Sequence, residues 1–171
     1  TQGLHNITFY ADDSSTPVNI GTASTTFVID LTPPSLVMAN HSPYYANDSS
    51  VITCSFKWND NFALNNSCII ESNISGSAQN YSSTIINNWC NYTFNNSNEI
   101  IPGKVFCKSY VWDNATNANI ALITFNISDV TPPVINSTSY NPNSESDIDP
   151  YVNINFSANA YDKGTISKAI I

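Results

Sequence analysis

An all-β fold, built from two-sheet sandwich units in tandem with essentially no helix, is predicted by three observations. Apolar residues alternate with polar ones at period two in short runs. Asn, Asp, Ser and Gly turns separate those runs, and a pattern of about 100 residues recurs along the chain.

The recurrence sets the boundaries. Thr26-Phe27-Val28-Ile29-Asp30-Leu31-Thr32-Pro33-Pro34 returns as Thr124-Phe125-Asn126-Ile127-Ser128-Asp129-Val130-Thr131-Pro132-Pro133, and Gly3 to Tyr10 with Asp13 returns as Gly103 to Tyr110 with Asp113. A weaker echo relates Ile52, Cys54, Phe56 and Trp58 to Val152, Ile154, Phe156 and Ala158, with two extra residues after Ala158 bringing Asp162 opposite Asp60. Thr-Pro-Pro makes a stiff joint, because Pro fixes φ, holds its predecessor extended and cannot donate to a ladder. Cutting there gives the C-terminal strands of a preceding unit (1–34), a complete unit (35–133) and the N-terminal strands of a following one (134–171).

In the complete unit, 36–40 is a short first strand. The run 51–58 points Ile52, Cys54, Phe56 and Trp58 inward. Short strands follow at 67–71 and 81–86, then 89–94 with Cys90, Tyr92 and Phe94 inward. The run 104–111 turns in Val105, Cys107, Ser109 and Val111, and 120–127 turns in Ala121, Ile123, Phe125 and Ile127. Seven short strands in about 100 residues read as a sandwich of immunoglobulin type. The first segment repeats the last two strands, with His5, Ile7, Phe9, Ala11, Thr25, Phe27 and Ile29 inward; 134–171 holds two or three strands.

Composition narrows the partners. Thirteen acidic residues face five basic ones, all Lys, for a net charge of -8 with 11% of residues charged. An Arg-free acidic chain suits neither nucleic acid nor an anionic membrane surface. The 42% of hydrophobic residues suffices for a core. No run approaches the ~18 apolar residues of a membrane helix. Thr1 to His5 carries no basic region or apolar stretch, so a mature or excised segment is expected.

Asn supplies 26 residues, and Asn-x-Ser/Thr occurs at Asn6, Asn40, Asn47, Asn65, Asn73, Asn80, Asn91, Asn95, Asn114, Asn126, Asn136 and Asn155. Random placement would give about 5 or 6 such triplets, so N-linked glycans, and hence export to the extracellular space or cell surface, are expected.

The four cysteines all fall within 35–133. Strand phase places Cys54 and Cys107 where immunoglobulin domains bridge their sheets, and the recurrence puts apolar Ile154 and Ile7 at those two positions. The preferred pairing is Cys54–Cys107 with Cys68–Cys90, against Cys54–Cys90 with Cys68–Cys107. Zinc is disfavoured by the absence of Cys-x-x-Cys and of a His near any cysteine.

Catalytic motifs are missing. There is no nucleophile elbow, phosphate loop or His-Glu-x-x-His; His5 reads as a strand residue, His41 as an exposed sequon residue and Asp12-Asp13 as a turn. No enzyme activity is expected. Calcium is the one metal with candidate ligands: Glu145, Asp147 and Asp149 alternate, while Asp30, Asp60, Asp113, Asp129 and Asp162 fall at loops or joints where oxygen ligands could stiffen a hinge. Turn roles for these Asp residues are preferred and no metal is assigned. Trp58 reads as core; Trp112 is outward, open to glycan or a neighbour.

The stretch Gly3 to Asp13, which matches Gly-x-His-x-Ile-Thr-x-x-Ala-x-Asp, and the closing Thr26 to Pro34 resemble the tandem immunoglobulin-like domains of prokaryotic, especially archaeal, surface proteins. That resemblance implies a stalk, adhesin, surface layer or filament and no catalytic residues. The partners are then adjoining repeats of the same chain or further copies of it, head to tail, with the incomplete end units finished by chain continuation or strand complementation. The alternative is an adhesin or carbohydrate-binding module.

Overall fold

The computed structural model describes residues 1–96, 99–141, 151 and 153–169. These residues form strands and turns without helix: β1 Gly3–Asp12, β2 Ile20–Ile29, β3 Ser35–Ser42, β4 Ala46–Asn47, β5 Ile52–Asn59, β6 Leu64–Ser72, β7 Gln79–Ile86, β8 Trp89–Phe94, β9 Gly103–Asp113, β10 Ala118–Ser128, β11 Val134–Asn141 and β12 Asn155–Tyr161.

Strands β3 to β10 share one hydrogen-bonded order, β3-β5-β8-β7-β6-β9-β10-β4. Alternation decides which face of each strand is buried. Ile52, Cys54, Phe56 and Trp58 are fully buried on β5, while Thr53, Ser55 and Lys57 between them stay partly exposed. On β9 the buried set is Val105, Cys107, Ser109, Val111 and Asp113. Although β5 and β9 are far apart in the hydrogen-bonded order, a disulfide joins Cys54 to Cys107 with Cα atoms 6.4 Å apart, and Trp58 Nε1 donates to Ser109 Oγ at 3.2 Å. The sheet therefore folds over, and its halves enclose the core between them. The turn runs through β7, which pairs with β6 along Gln79–Thr84 and with β8 only at Ile85 and Ile86. A second disulfide, Cys68–Cys90, ties β6 to β8 with Cα atoms 6.2 Å apart. At the open end His41 of β3 stacks on Phe125 of β10, ring centroids 4.0 Å apart.

The inward assignments on β5, β8, β9 and β10 agree with observed burial. Strand β4 has no signature in the sequence. Two residues cannot display alternation, yet Ala46 and Asn47 pair in parallel with Ile127 and Ser128. His41 also differs from expectation: it is half-buried rather than exposed, because β3 curls over Phe125 and the ring nitrogen Nδ1 lies 3.0 Å from the Pro43 carbonyl.

Hairpins β1–β2 and β11–β12 stand as separate two-stranded sheets. Ile7, Phe9, Ala11, Thr25 and Phe27, expected to point into a core, are exposed, since among the described residues no second sheet covers that face. In 134–171 two strands are found among the described residues.

Local geometry links these hairpins to β9–β10 and β3–β5. Gly3 and Gly103 open β1 and β9 with φ of 128° and 127°, a region open to Gly because it has no Cβ. Asp13 closes its turn by exchanging hydrogen bonds with Asn19, and Asp113 does the same with Asn117 in a loop two residues shorter. The register of β3–β5 slips between Leu36 and Met38, and that of β11–β12 slips between Ile135 and Ser137. These registers also correct an alignment. Ala39 pairs with Phe56 and Thr138 with Ala158, so the two extra residues precede β12, and Phe156, not Ile154, is the counterpart of Cys54. Slippage by two conserves the face, which is why the apolar pattern alone concealed it.

Candidate metal centre

Three carboxylates meet where the first hairpin joins the folded sheet. Asp30 follows β2, and its Oδ1 accepts the Thr32 N–H at 3.0 Å, a local turn that leads into Pro33-Pro34. Asp60 follows β5 and accepts the Phe62 N–H through Oδ1 at 2.9 Å. Asp113 ends β9, fully buried, and receives the Asn117 N–H on Oδ1 and the Asn117 amide on Oδ2, both at 2.8 Å. One carboxylate oxygen from each residue lies within 4.8 Å of the other two.

Asn side chains stitch the joint. Asn117 Nδ2 also donates to the Asp30 carbonyl at 3.1 Å, Asn119 Nδ2 to the Pro34 carbonyl at 2.7 Å, and Asn61 Nδ2 to Asp30 Oδ1 at 3.3 Å. The ion pair Lys108–Glu71, at 3.7 Å, lies away from this cluster, between β9 and β6. Like charges brought as close as the three carboxylates repel one another. Asp60 Oδ2 is buried with no hydrogen-bond partner. An open hollow lined by Val28, Asp30, Phe62, Ala63, Asn114 and Ala115 lies alongside.

The second Thr-Pro-Pro joint has related parts. Asp129 Oδ1 accepts the Thr131 N–H at 3.1 Å, as Asp30 accepts that of Thr32, and Asp162 Oδ1 is buried without a partner, as is Asp60 Oδ2. Asp129 lies so close to the turn after Asp162 that a Cβ on Gly164 would fall 2.1 Å from Asp129 Oδ2. The other calcium candidates, Glu145, Asp147 and Asp149, lie outside the described residues. Asp12 and Asp13 sit at the first turn. Hydrogen bonds from Ser15 and Asn19 hold the Asp13 carboxyl far below the usual range, consistent with a capping role.

Of the sequon residues, Asn6, Asn40, Asn65, Asn80, Asn91, Asn95, Asn114, Asn126, Asn136 and Asn155 are exposed. Asn47 and Asn73 are half-buried, with their side-chain oxygens accepting the N–H groups of Ser49 and Phe106 at 3.0 and 2.8 Å. The two disulfides indicate an oxidising, non-cytoplasmic setting. No helix among the described residues is long and apolar enough to cross a membrane.

Asp48 was hidden in an ordinary-looking Asn47-Asp48-Ser49-Ser50 turn. It is fully buried and accepts the Val130 N–H at 3.1 Å and the Thr131 hydroxyl, clamping the β4 turn to the exit of β10. Burial by itself would raise its pKa, but those hydrogen bonds and the Lys163 charge outweigh it and hold the carboxyl below its ordinary 3.8. A depressed folded pKa contributes stability that is complete above the unfolded value and is lost as pH falls through the folded one. Denaturant midpoints are therefore expected to fall with acidification below about pH 4, and Asp48→Asn to flatten that dependence while costing about 1–3 kcal/mol at pH 7. An unchanged acid limb in the variant would assign the effect to other carboxylates.

No family model and no curated protein matches this chain.

Proposed function

We propose that the chain belongs to a non-enzymatic, exported structural protein: tandem immunoglobulin-like units, stapled by disulfides and coated with N-linked glycan, in a surface filament, stalk or surface layer. The observation that carries this reading is the recurrence of local constraints at one spacing. The Gly at positive φ, the Asp–Asn turn closure, the register slip and the Asp-x-Thr-Pro-Pro joint each occur in a hairpin and again in the folded sheet. Such units stack end to end and extend, and each terminal hairpin presents an uncovered apolar face that an adjoining repeat or another copy, head to tail, would cover.

The test is glycopeptide mass spectrometry on protein taken from its native envelope or medium, with and without reduction, alongside negative-stain microscopy. Glycan at several of the ten exposed sequons, an unmodified Asn73 and a filament or lattice of regular repeat are expected. Free thiols together with bare sequons would defeat the exported reading. Asn73 serves as the internal control, because its carbonyl already holds Phe106.

One observation favours an adhesin or carbohydrate-binding module instead. Tyr44 and Tyr45 are 79% and 86% exposed, pack edge to face at 4.8 Å, and rim an open hollow with His41 and Phe125. Sugars stack on such rings. Discrete monomers that bind a glycan array, with binding lost in Tyr44→Ala/Tyr45→Ala, would establish that role over the structural one.

A further inference from the structure

Resting on the exported structural role proposed above, we infer that the uncovered face of β11–β12 in one copy of the chain docks on the uncovered face of β1–β2 in the next. Copies then join head to tail through a four-stranded sandwich. The folded sheet itself specifies the occupant. There β3–β5 faces β9–β10 across the core, and strand register makes β11–β12 the counterpart of β3–β5 and β1–β2 the counterpart of β9–β10. Each contact that crosses the folded sheet therefore has a counterpart pair on the two hairpins.

Three such pairs match. The central Cys54–Cys107 bridge becomes Phe156 against Ile7, two apolar side chains. The stack of His41 on Phe125 becomes Tyr140 against Phe27, again two rings. Trp58 over Ser109 becomes Ala160 against Phe9, so the large and the small partner change sides and the layer stays filled. If the two hairpins were shaped for unrelated partners, nothing would tie the gain of volume at position 9 to its loss at position 160. Ile7, Phe9, Phe27, Tyr140 and Phe156 are between 40% and 62% exposed, so the apolar surface waits on both hairpins.

Glycan and charge agree with this order. Alternation puts the sequon residues Asn6 and Asn155 on the opposite faces of β1 and β12, where glycan would leave the contact clear. Lys163 follows β12 where Asn61 follows β5, beside the corner at which Asp60 and Asp113 meet; Asp12 and Asp13 stand at the turn of β1–β2 that would occupy that corner. The shorter strand, β12, has seven residues and spans about 24 Å, and two strands are about 10 Å wide, so each contact covers a few hundred Å² per partner. That is small for a specific interface, and association is expected to be reversible and concentration-dependent.

The experiment is oxidative cross-linking of the full chain. Ile7 and Phe156 occupy the places of Cys107 and Cys54, whose Cα atoms are 6.4 Å apart. Ile7→Cys/Phe156→Cys is therefore expected to form an intermolecular disulfide, giving a ladder of multimers on non-reducing gels that collapses to monomer on reduction. Thr8→Cys/Ser157→Cys, on the opposite faces, is the control and is expected to give no ladder. Sedimentation velocity over a concentration series, without cross-linking, is the second readout. Phe9→Ser and Ala160→Trp are each expected to weaken self-association at least tenfold, and Phe9→Ser/Ala160→Trp, which reinstates the Trp58–Ser109 pair, to restore it. Both hairpins lie outside the folded sheet, and circular dichroism verifies that every variant keeps it. A bond closed within one chain, a control ladder equal to that of the test variant, or sedimentation as monomer at every concentration overturns the head-to-tail contact. The exported structural role keeps its own test in the glycan occupancy and assembly of the native protein, with an adjoining repeat then left to cover the two faces.

Discussion

Replacing Cys54 and Cys107 together by Ala is expected to lower the unfolding free energy by about 4 kcal/mol in the chain-entropy account, the larger loss of the two disulfides. The bridge closes a loop with a sequence separation of 53, against 22 for Cys68–Cys90, whose removal is expected to cost about 3 kcal/mol. Position adds to length: Cys54–Cys107 pins the facing halves of a folded sheet at its fully buried centre. Denaturant titration followed by Trp fluorescence measures both variants. A greater loss from Cys68→Ala/Cys90→Ala would show that loop length does not govern here and that the packing around β8 does.

Trp58→Ala is expected to cost about 4 kcal/mol, near the upper range for an aromatic removed from a core. Trp58 is the largest fully buried side chain, and its indole N–H is satisfied by Ser109 Oγ across the two layers. Truncation opens a cavity and leaves that buried hydroxyl without its donor. Trp58→Phe preserves most of the packing, and about 1–2 kcal/mol is expected for the lost hydrogen bond. A double-mutant cycle with Ser109→Ala separates the contributions: coupling near zero would mean that the indole contributes through volume alone.

Much of this architecture was readable because it depends on parity. A strand with one face buried must alternate, so the inward residues of β5, β8, β9 and β10 could be named from their period, and the cysteines on those phases followed. Other features depend on contacts that parity does not encode. Strand β4 is two residues long and is held by Asp48, whose partners lie 82 and 83 positions away. The carboxylate cluster gathers residues 30, 60 and 113, each of which has an adequate local reason to be Asp at a turn, so each local signal masked the common one. The exposure of Phe9 and Phe27 was equally invisible. Alternation reports which side of a strand is apolar, not whether anything covers it.

The Cys54–Cys107 bond has a mechanical consequence. If the chain is pulled from both ends, force enters through β3, reaches Cys54, and crosses the disulfide directly to Cys107 and on into β10. The covalent load path thus bypasses the intervening segment, a separation of 53 positions that includes β6, β7 and β8. Tension still reaches the pairings of β3 with β5 and of β10 with β9, together with the parallel contact of β4 with β10 and the Asp48 clamp beside it. Strands pulled along their length in a parallel pair slide against all their bonds together, whereas a hairpin opens rung by rung. The unit can lengthen only by the stretches outside the bridge, which carry β3, β4 and β10, so a string of such units would yield at those strands and keep β6, β7 and β8 in place.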